Sequence, residues 1–272
     1  MQTKKTKIVV FTDLDGSLLN EKYQYSEVKA VVDKLLALDA AVVFCSSKTR
    51  AEILPLQIAT KISDPFIAEN GSAIFIPKGY FQTSHTYTKS KGRFEVIELG
   101  VRYSTIRKKL AYVKAETGAR IVGFGDLTVE ELAKDAHLPL YAARLAKKRE
   151  YDEPFRLVFG KQDTVLRCIE KQGLRCVAGG RYLHAFGDTD KGKATAILRD
   201  LYAEEYPKLL TAGVGNSQSD FSMLEYVDAP FLVEENLSQS NICATWKKVL
   251  QFVQENNQRP VEKLIVSASY IA

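Results

Sequence analysis

The chain has 272 residues, 46% of them hydrophobic, and a formal charge of +5, which is enough for a large core and points to two domains. It has no run of about 18 apolar residues, which excludes a transmembrane helix, and its charge is spread without the basic stripe that nucleic-acid binding needs. Four cysteines (Cys45, Cys168, Cys176, Cys243) without a C-x-x-C pair, and a basic N-terminus leading into too short an apolar run for a signal peptide, fit a reducing cytoplasm.

Residues 8–11 form a short apolar run that reads as a buried parallel strand. It ends in Asp13-Leu14-Asp15-Gly16-Ser17. Chemistry in an open α/β sheet collects beyond the carboxyl ends of its strands. Asp13 is therefore placed as a nucleophile, and Asp15 as an acid and base whose carbonyl helps hold a cation. Ser26 is expected to cap a helix through Val28, Val31, Val32, Leu35 and Leu36. The next buried strand, residues 42–45, delivers Ser46-Ser47-Lys48-Thr49 to the same edge. There Ser46 can donate to a phosphoryl oxygen, or cap the helix over 50–60.

Two apolar runs flank Asn70-Gly71, a hairpin signal. Asn70 reads first as its turn residue and second as a substrate contact. The pattern changes near residue 85, and an inserted cap is expected over 84–187, dividing a core of 1–83 and 188–272. Within the insert, a helix over 103–117 closes at Gly118. Thr128 with Glu131 forms a capping box, so a helix starts there with free amides. Another helix begins at Pro139 and ends in Lys147-Lys148-Arg149-Glu150. Strands are expected over 155–159, 174–177 and 182–186, with a helix over 163–172 between the first two. The core resumes with a helix over 191–203 and a strand over 209–214. A turn, Gly215-Asn216-Ser217-Gln218-Ser219-Asp220, follows, then a strand over 230–233 and a helix over 241–254.

The segment Gly187-Asp188-Thr189-Asp190-Lys191-Gly192-Lys193-Ala194 matches the spacing of a P-loop, but Ala194 stands where that loop needs Ser or Thr to bind Mg²⁺. A nucleotide triphosphatase is excluded on this ground. What remains is a set of strand ends suited to phosphoryl transfer. A carboxylate nucleophile splits one displacement into two, and a cation with positioned donors neutralises the phosphoryl oxygens. Mg²⁺ takes oxygen ligands, available from Asp13, the Asp15 carbonyl and the turn of Asn216 and Asp220. Lys191, read alone, is an ordinary solvated lysine; beside these motifs it is the neutralising cation.

Asp13-Leu14-Asp15-Gly16-Ser17, Cys45-Ser46-Ser47-Lys48-Thr49, Ile67-Ala68-Glu69-Asn70-Gly71, Asp190-Lys191-Gly192-Lys193-Ala194 and the turn through Asp220 occur in family order. Together they resemble the mannosyl-3-phosphoglycerate phosphatase family, a Cof-type branch of the haloacid-dehalogenase-like hydrolases. Two insert stretches are also similar: Gly123-Phe124-Gly125-Asp126-Leu127-Thr128, and the run from Ala146 to Phe155. The resemblance implies a doubly wound parallel-sheet α/β core with an inserted α+β cap. It implies a Mg²⁺-dependent phosphatase acting on a small anionic phosphorylated sugar, with no nucleic-acid or membrane partner. By motif, Asp13 is nucleophile and metal ligand, Asp15 acid/base and ligand, Ser46 and Lys191 phosphoryl contacts, and Asn216 and Asp220 metal ligands. Asn70, Asp126, Leu127, Thr128 and Arg149 are the substrate-binding candidates, the last two reading as a glycerate carboxylate site. Arg149 equally reads as a solvated charge complementing a helix end. Asn216 and Ser219 depart from the superfamily's usual G-D-x-x-N-D turn. A broader sugar phosphatase, including one for sucrose phosphate, and a weakly active ligand-binding relative stand as alternatives. No motif separates mannosyl from glucosyl substrates or sets an oligomeric state.

Overall fold

The computed structural model describes residues 6–20, 23–234 and 239–257. Strands β1 (Lys7–Thr12) and β2 (Ala41–Cys45) are buried at nearly every position, as strands covered on both faces must be. Helices α1 (Lys29–Ala37) and α2 (Arg50–Thr60) are followed by β3 (Phe66–Ala68), parallel to β2, and β4 (Ala73–Pro77), which returns antiparallel. Strands β5 (Lys89–Lys91) and β6 (Phe94–Glu98) extend the same sheet.

The chain then builds α3 (Tyr103–Thr117), β7 (Arg120–Gly123), α4 (Val129–Ala136), α5 (Leu140–Ala146), β8 (Asp152–Phe159), α6 (Gln162–Lys171), β9 (Arg175–Gly179) and β10 (Tyr182–Phe186). It returns through α7 (Lys191–Glu205), β11 (Leu209–Gly215), α8 (Gln218–Leu224), β12 (Ala229–Leu232) and α9 (Gln239–Asn257). The first sheet runs β12-β11-β1-β2-β3-β4-β6-β5, parallel from β12 to β3; the second is antiparallel, β7-β8-β10-β9. This is a doubly wound core with an inserted α+β cap.

Alternation along β1 sends Val10 to one face of the core sheet, with Val42, Phe44 and Trp246, and Val9 and Phe11 to the other, with Val43, Cys45, Leu198 and Tyr202. In the cap, Ile106, Leu110, Phe155, Val165 and Ile169 pack α3 and α6 onto the second sheet.

Several local expectations change. Ser26 caps nothing: α1 starts at Lys29 behind Val28, with no side-chain cap bond. Ser46 does not cap α2 either; Thr49 does, accepting the Glu52 amide at 3.1 Å while the Glu52 carboxylate accepts the Thr49 amide at 2.9 Å. Residues 89–98, expected within the insert, hydrogen-bond into the core sheet instead. Their lysines and glutamates hide the strand pattern from a reading of apolar periodicity. The expected core segments 1–5 and 258–272 lie outside the described residues.

Candidate active site

Asp13 follows the last residue of β1, and its amide donates to the Val214 carbonyl at 2.9 Å, fixing it beside the end of β11. Lys191, at the start of α7, donates to Asp13 Oδ1 and to Asp220 Oδ1, both at 2.6 Å. These residues are 178 and 29 positions apart in sequence. Two close approaches bring them together. At Gly71 (φ +86°) a Cβ would lie 2.0 Å from the Asp190 carbonyl oxygen, and at Gly192 it would lie 2.4 Å from that of Ser222. Only glycine lets α7 start this near the β3–β4 turn and run this near α8.

Burial pushes the Asp13 carboxyl up to about 7 against the pull of Lys191, with Asp220 and Asp15 adding to the rise. Burial alone would lower Lys191, but Asp13 and Asp220 outweigh it and keep the ammonium charged. Burial would likewise raise Asp220, yet Lys191 and the amides of Asn216 and Ser217 hold it below its ordinary value. Asp220 Oδ2 accepts from the Asn216 amide at 3.0 Å, the Ser217 amide at 2.9 Å and the Ser217 hydroxyl at 2.8 Å. Asn216 itself lines the cavity, its Oδ1 accepting from Ser17 at 3.3 Å. Trp246 Nε1 anchors the Ser17 carbonyl at 2.7 Å, holding the loop after β1 from behind.

Asp15 Oδ2 pairs with Lys48 at 2.8 Å, whereas Oδ1 is buried without a partner. The motif carries no sign of this role for Lys48 beyond its position two residues past the strand-end Ser46. Ser46 is buried, and its hydroxyl accepts the Lys48 amide at 3.2 Å. It is Ser47, with Lys48, that lines the cavity.

The cavity, about 610 Å³, lies between core and cap and contains Asp13, Asp15, Lys191, Asn216, Asn70 and Arg149 in its walls. Asn70 is the turn residue read for it, and it stands in the cavity wall. Its φ of +59° makes the hairpin turn, and its Nδ2 donates to Asp152 Oδ2 at 2.9 Å. Arg149 is not solvated: its side chain is 5% exposed, Nη1 donates to the Ser47 carbonyl at 2.7 Å, and Nε to Ala146 at 3.0 Å.

Asp126, Leu127 and Thr128, the residues read as substrate-binding around a carboxylate site at this helix start, do not line the cavity. The capping box is real, with Thr128 Oγ1 accepting from Glu131 at 3.1 Å. However, α4 turns its other end to the cavity, through Ala136, His137 and Leu138. Asp126 is engaged by Arg107 and, at 2.9 Å, by Lys114; despite partial burial these hold it well below the carboxylate range. Lys147 caps this turn by donating to the Phe124 and Leu127 carbonyls. The two cap stretches meet here. Glu153 accepts the Gly125 amide at 3.0 Å and pairs with Arg107 at 2.8 Å, and a Cβ on Gly123 would sit 2.0 Å from its Oε1.

Among the described residues no three His, Cys, Asp or Glu side chains converge as a metal-binding group. The cavity wall instead carries oxygen-bearing side chains of mixed type, the Asp13 and Asp15 carboxylates and the Asn216 amide among them. An all-oxygen set that leaves places for water fits Mg²⁺, and Asp15 Oδ1 is buried with no hydrogen-bond partner among the described residues.

A strand-end aspartate pair, a lysine bridging the first of them to Asp220 at the start of α8 and an inserted cap define the class, and the haloacid dehalogenase-like hydrolase family matches residues 10–257, so the chain belongs to it. Solved structures agree on the fold. A Thermoplasma acidophilum protein aligns with TM-score 0.61 at 17% identity over 92% of this chain and 98% of its own. A haloacid dehalogenase-like hydrolase of Bacteroides thetaiotaomicron aligns with TM-score 0.60 at 12% identity over 90% and 100%. Within the class, the glucosyl-3-phosphoglycerate/mannosyl-3-phosphoglycerate phosphatase of Methanococcoides burtonii is 42% identical over 84% of this chain and 85% of its own. The mannosyl-3-phosphoglycerate phosphatase of Pyrococcus furiosus is 38% identical over 83% and 90%. The chain is thus a phosphoric monoester hydrolase of the mannosyl-3-phosphoglycerate phosphatase family.

Proposed function

We propose that the protein hydrolyses the phosphate monoester of a glycosyl-3-phosphoglycerate, mannosyl-3-phosphoglycerate first among them, to the glycosylglycerate and phosphate. The observation that carries the mechanism is Lys191 held at 2.6 Å from both Asp13 and Asp220, with Asp13 exposed to the cavity. Asp13 attacks phosphorus through the oxygen not bound to Lys191, and Asp15 protonates the departing alkoxide. Asp15, now ionised, takes a proton from water, which attacks the aspartyl phosphate; phosphate leaves and Asp13 is restored. Lys191 and the amides at the strand ends stabilise the charge spread over the phosphoryl oxygens. Lys48 holds Asp15 in place over the site.

Asp13, the Asp15 carbonyl and Asn216 would hold Mg²⁺, and a bound cation would neutralise phosphoryl charge. Asp220, saturated by Lys191 and its own turn, supports the set from behind. The cap is proposed to begin after β6, at about residue 99, since residues 89–98 belong to the core sheet. Nothing in the chemistry of the cavity calls for a partner beyond a small anionic phosphorylated sugar.

The test is a panel of phosphorylated sugars with Mg²⁺, run on the wild type and Asp13→Asn. The expected result is preferential turnover of the glycosyl-3-phosphoglycerates, with both turnover and aspartyl-phosphate trapping abolished in the variant. Normal activity in Asp13→Asn would sink the mechanism, and indifference to the glycerate would sink the substrate.

A further inference from the structure

The two walls of the cavity differ in charge. Its carboxylates, Asp13, Asp15 and Glu52, all come from the core, whereas the cap contributes His137, Arg149, Arg181 and His184 and no acid. Arg149 is already directed at the Ser47 and Ala146 carbonyls. His184 is built differently. It lies on β10 with its side chain 8% exposed, and its Nδ1 sits 2.7 Å from Asp152 Oδ2. Asp152 is fully buried and fixed in turn by Asn70 Nδ2 at 2.9 Å and Arg149 Nη1 at 3.5 Å. A carboxylate at one imidazole nitrogen fixes a proton there and sets the ring's orientation, leaving Nε2 as the polar atom available to the cavity. On that edge stands Gly179, where a Cβ would lie 2.9 Å from Nε2 and Cδ2. Its lack of a side chain keeps the edge uncovered.

We propose that His184 binds the substrate's carboxylate through Nε2, with Asp152 as the positioning residue that presents it. The proposal rests on the glycosyl-3-phosphoglycerate reading above. Binding a carboxylate there requires the doubly protonated ring, which donates from Nδ1 to Asp152 and from Nε2 to the substrate. His184 and Asp152 both belong to the cap, and Asn70, from the core turn, ties their pair to the core. This places the recognition of glycerate on β10 and the β9–β10 hairpin, not at the start of α4.

The test compares kcat/KM for mannosyl-3-phosphoglycerate and for the same compound with its carboxylate reduced to a hydroxymethyl group. Their ratio measures carboxylate recognition. In His184→Ala the ratio should fall by roughly 10- to 100-fold, the size of one charge-assisted hydrogen bond, with the loss in KM. His184→Gln, which keeps an N–H near the position of Nε2, should recover part of it. Asp152→Asn should lower the ratio as well, because an amide no longer enforces the Nδ1 proton. Thermal unfolding checks that each variant folds, and His184→Gln carries the comparison if the alanine variant does not. Equal losses on both compounds, or an unchanged ratio, overturn the role of His184. A wild type that turns over both compounds equally overturns the substrate reading itself, and the inference with it.

Discussion

At the turn after β11, Asp220 is fully buried, and its two oxygens accept from Lys191, the Asn216 amide, the Ser217 amide and the Ser217 hydroxyl. A carboxylate with that many donors is a brace, and Asn216, which lines the cavity, is the residue of this turn proposed above to hold the cation. A neutral amide attracts Mg²⁺ less than a carboxylate does. Asn216→Asp is expected to lower the Mg²⁺ concentration for half-maximal activity by about tenfold, read from a magnesium titration. Asp220→Ala should act on the fold as well, since it strips a buried lysine of one partner. A loss of about 3–5 kcal/mol in urea unfolding is expected, together with loss of turnover at every Mg²⁺ concentration. A titration unchanged in Asn216→Asp would place the cation elsewhere.

Between β3 and β4 the turn carries Glu69, Asn70 and Gly71 in succession at φ of 50°, 59° and 86°. The left-handed region costs a non-glycine residue about 1–2 kcal/mol, so tertiary contacts must hold the first two. Glu69 accepts the Tyr151 amide at 2.8 Å and the Glu150 amide at 3.0 Å, while Asn70 reaches Asp152. Burial raises the Glu69 carboxyl to about 8, with Asp152 adding to the rise and Arg149 opposing it. The unfolded chain releases this proton near 4.5 while the folded chain keeps it to about 8. Stability contributed by this site is therefore full below 4.5 and declines as pH rises through about 8. Unfolding free energies from urea titrations across that range should fall in the wild type relative to Glu69→Gln, by on the order of 1–3 kcal/mol. Parallel curves would show that Glu69 is ionised throughout.

Across the described residues, core and cap are joined by a polar seam, beside which Tyr151 of the cap is buried in the core's apolar cluster. Thr49 Oγ1 donates to the Leu145 carbonyl at 3.1 Å, Arg50 pairs with Glu150 at 3.0 Å, and Arg175 pairs with Asp190 at 2.7 Å. Arg149 is the most enclosed of its arginines, reaching Ser47 in the core and Ala146 and Asp152 in the cap. Removing it leaves Asp152 buried beside fewer cations. Arg149→Ala is thus expected to cost about 2–4 kcal/mol of stability. It should lower kcat/KM for the glycerate substrate and for its reduced analogue to the same extent, at least about tenfold. A loss confined to the carboxylate-bearing substrate would return Arg149 to direct recognition.

Local rules left clear marks in the sequence. A strand buried on both faces must be a continuous apolar run, so β1, β2 and β11 and the groups at their ends were readable, as were the Asn-Gly hairpin and the Thr128 capping box. Each of those signals acts within a few residues. Tertiary structure alone decided which end of α4 meets the cavity, that Arg149 is buried, that residues 89–98 join the core sheet, and that Asp220 braces while Asn216 faces inward. It also paired Asn70 with Asp152 across 82 residues and Asp13 with Lys191 across 178. His184 did leave one trace, a polar residue in the otherwise apolar run of β10. The Asp152 that orients it lies 32 residues away. The physical reason is one of range: capping and periodicity are settled by neighbours in the chain, whereas the partner of a buried charge is settled by whichever distant element folding brings within hydrogen-bond reach.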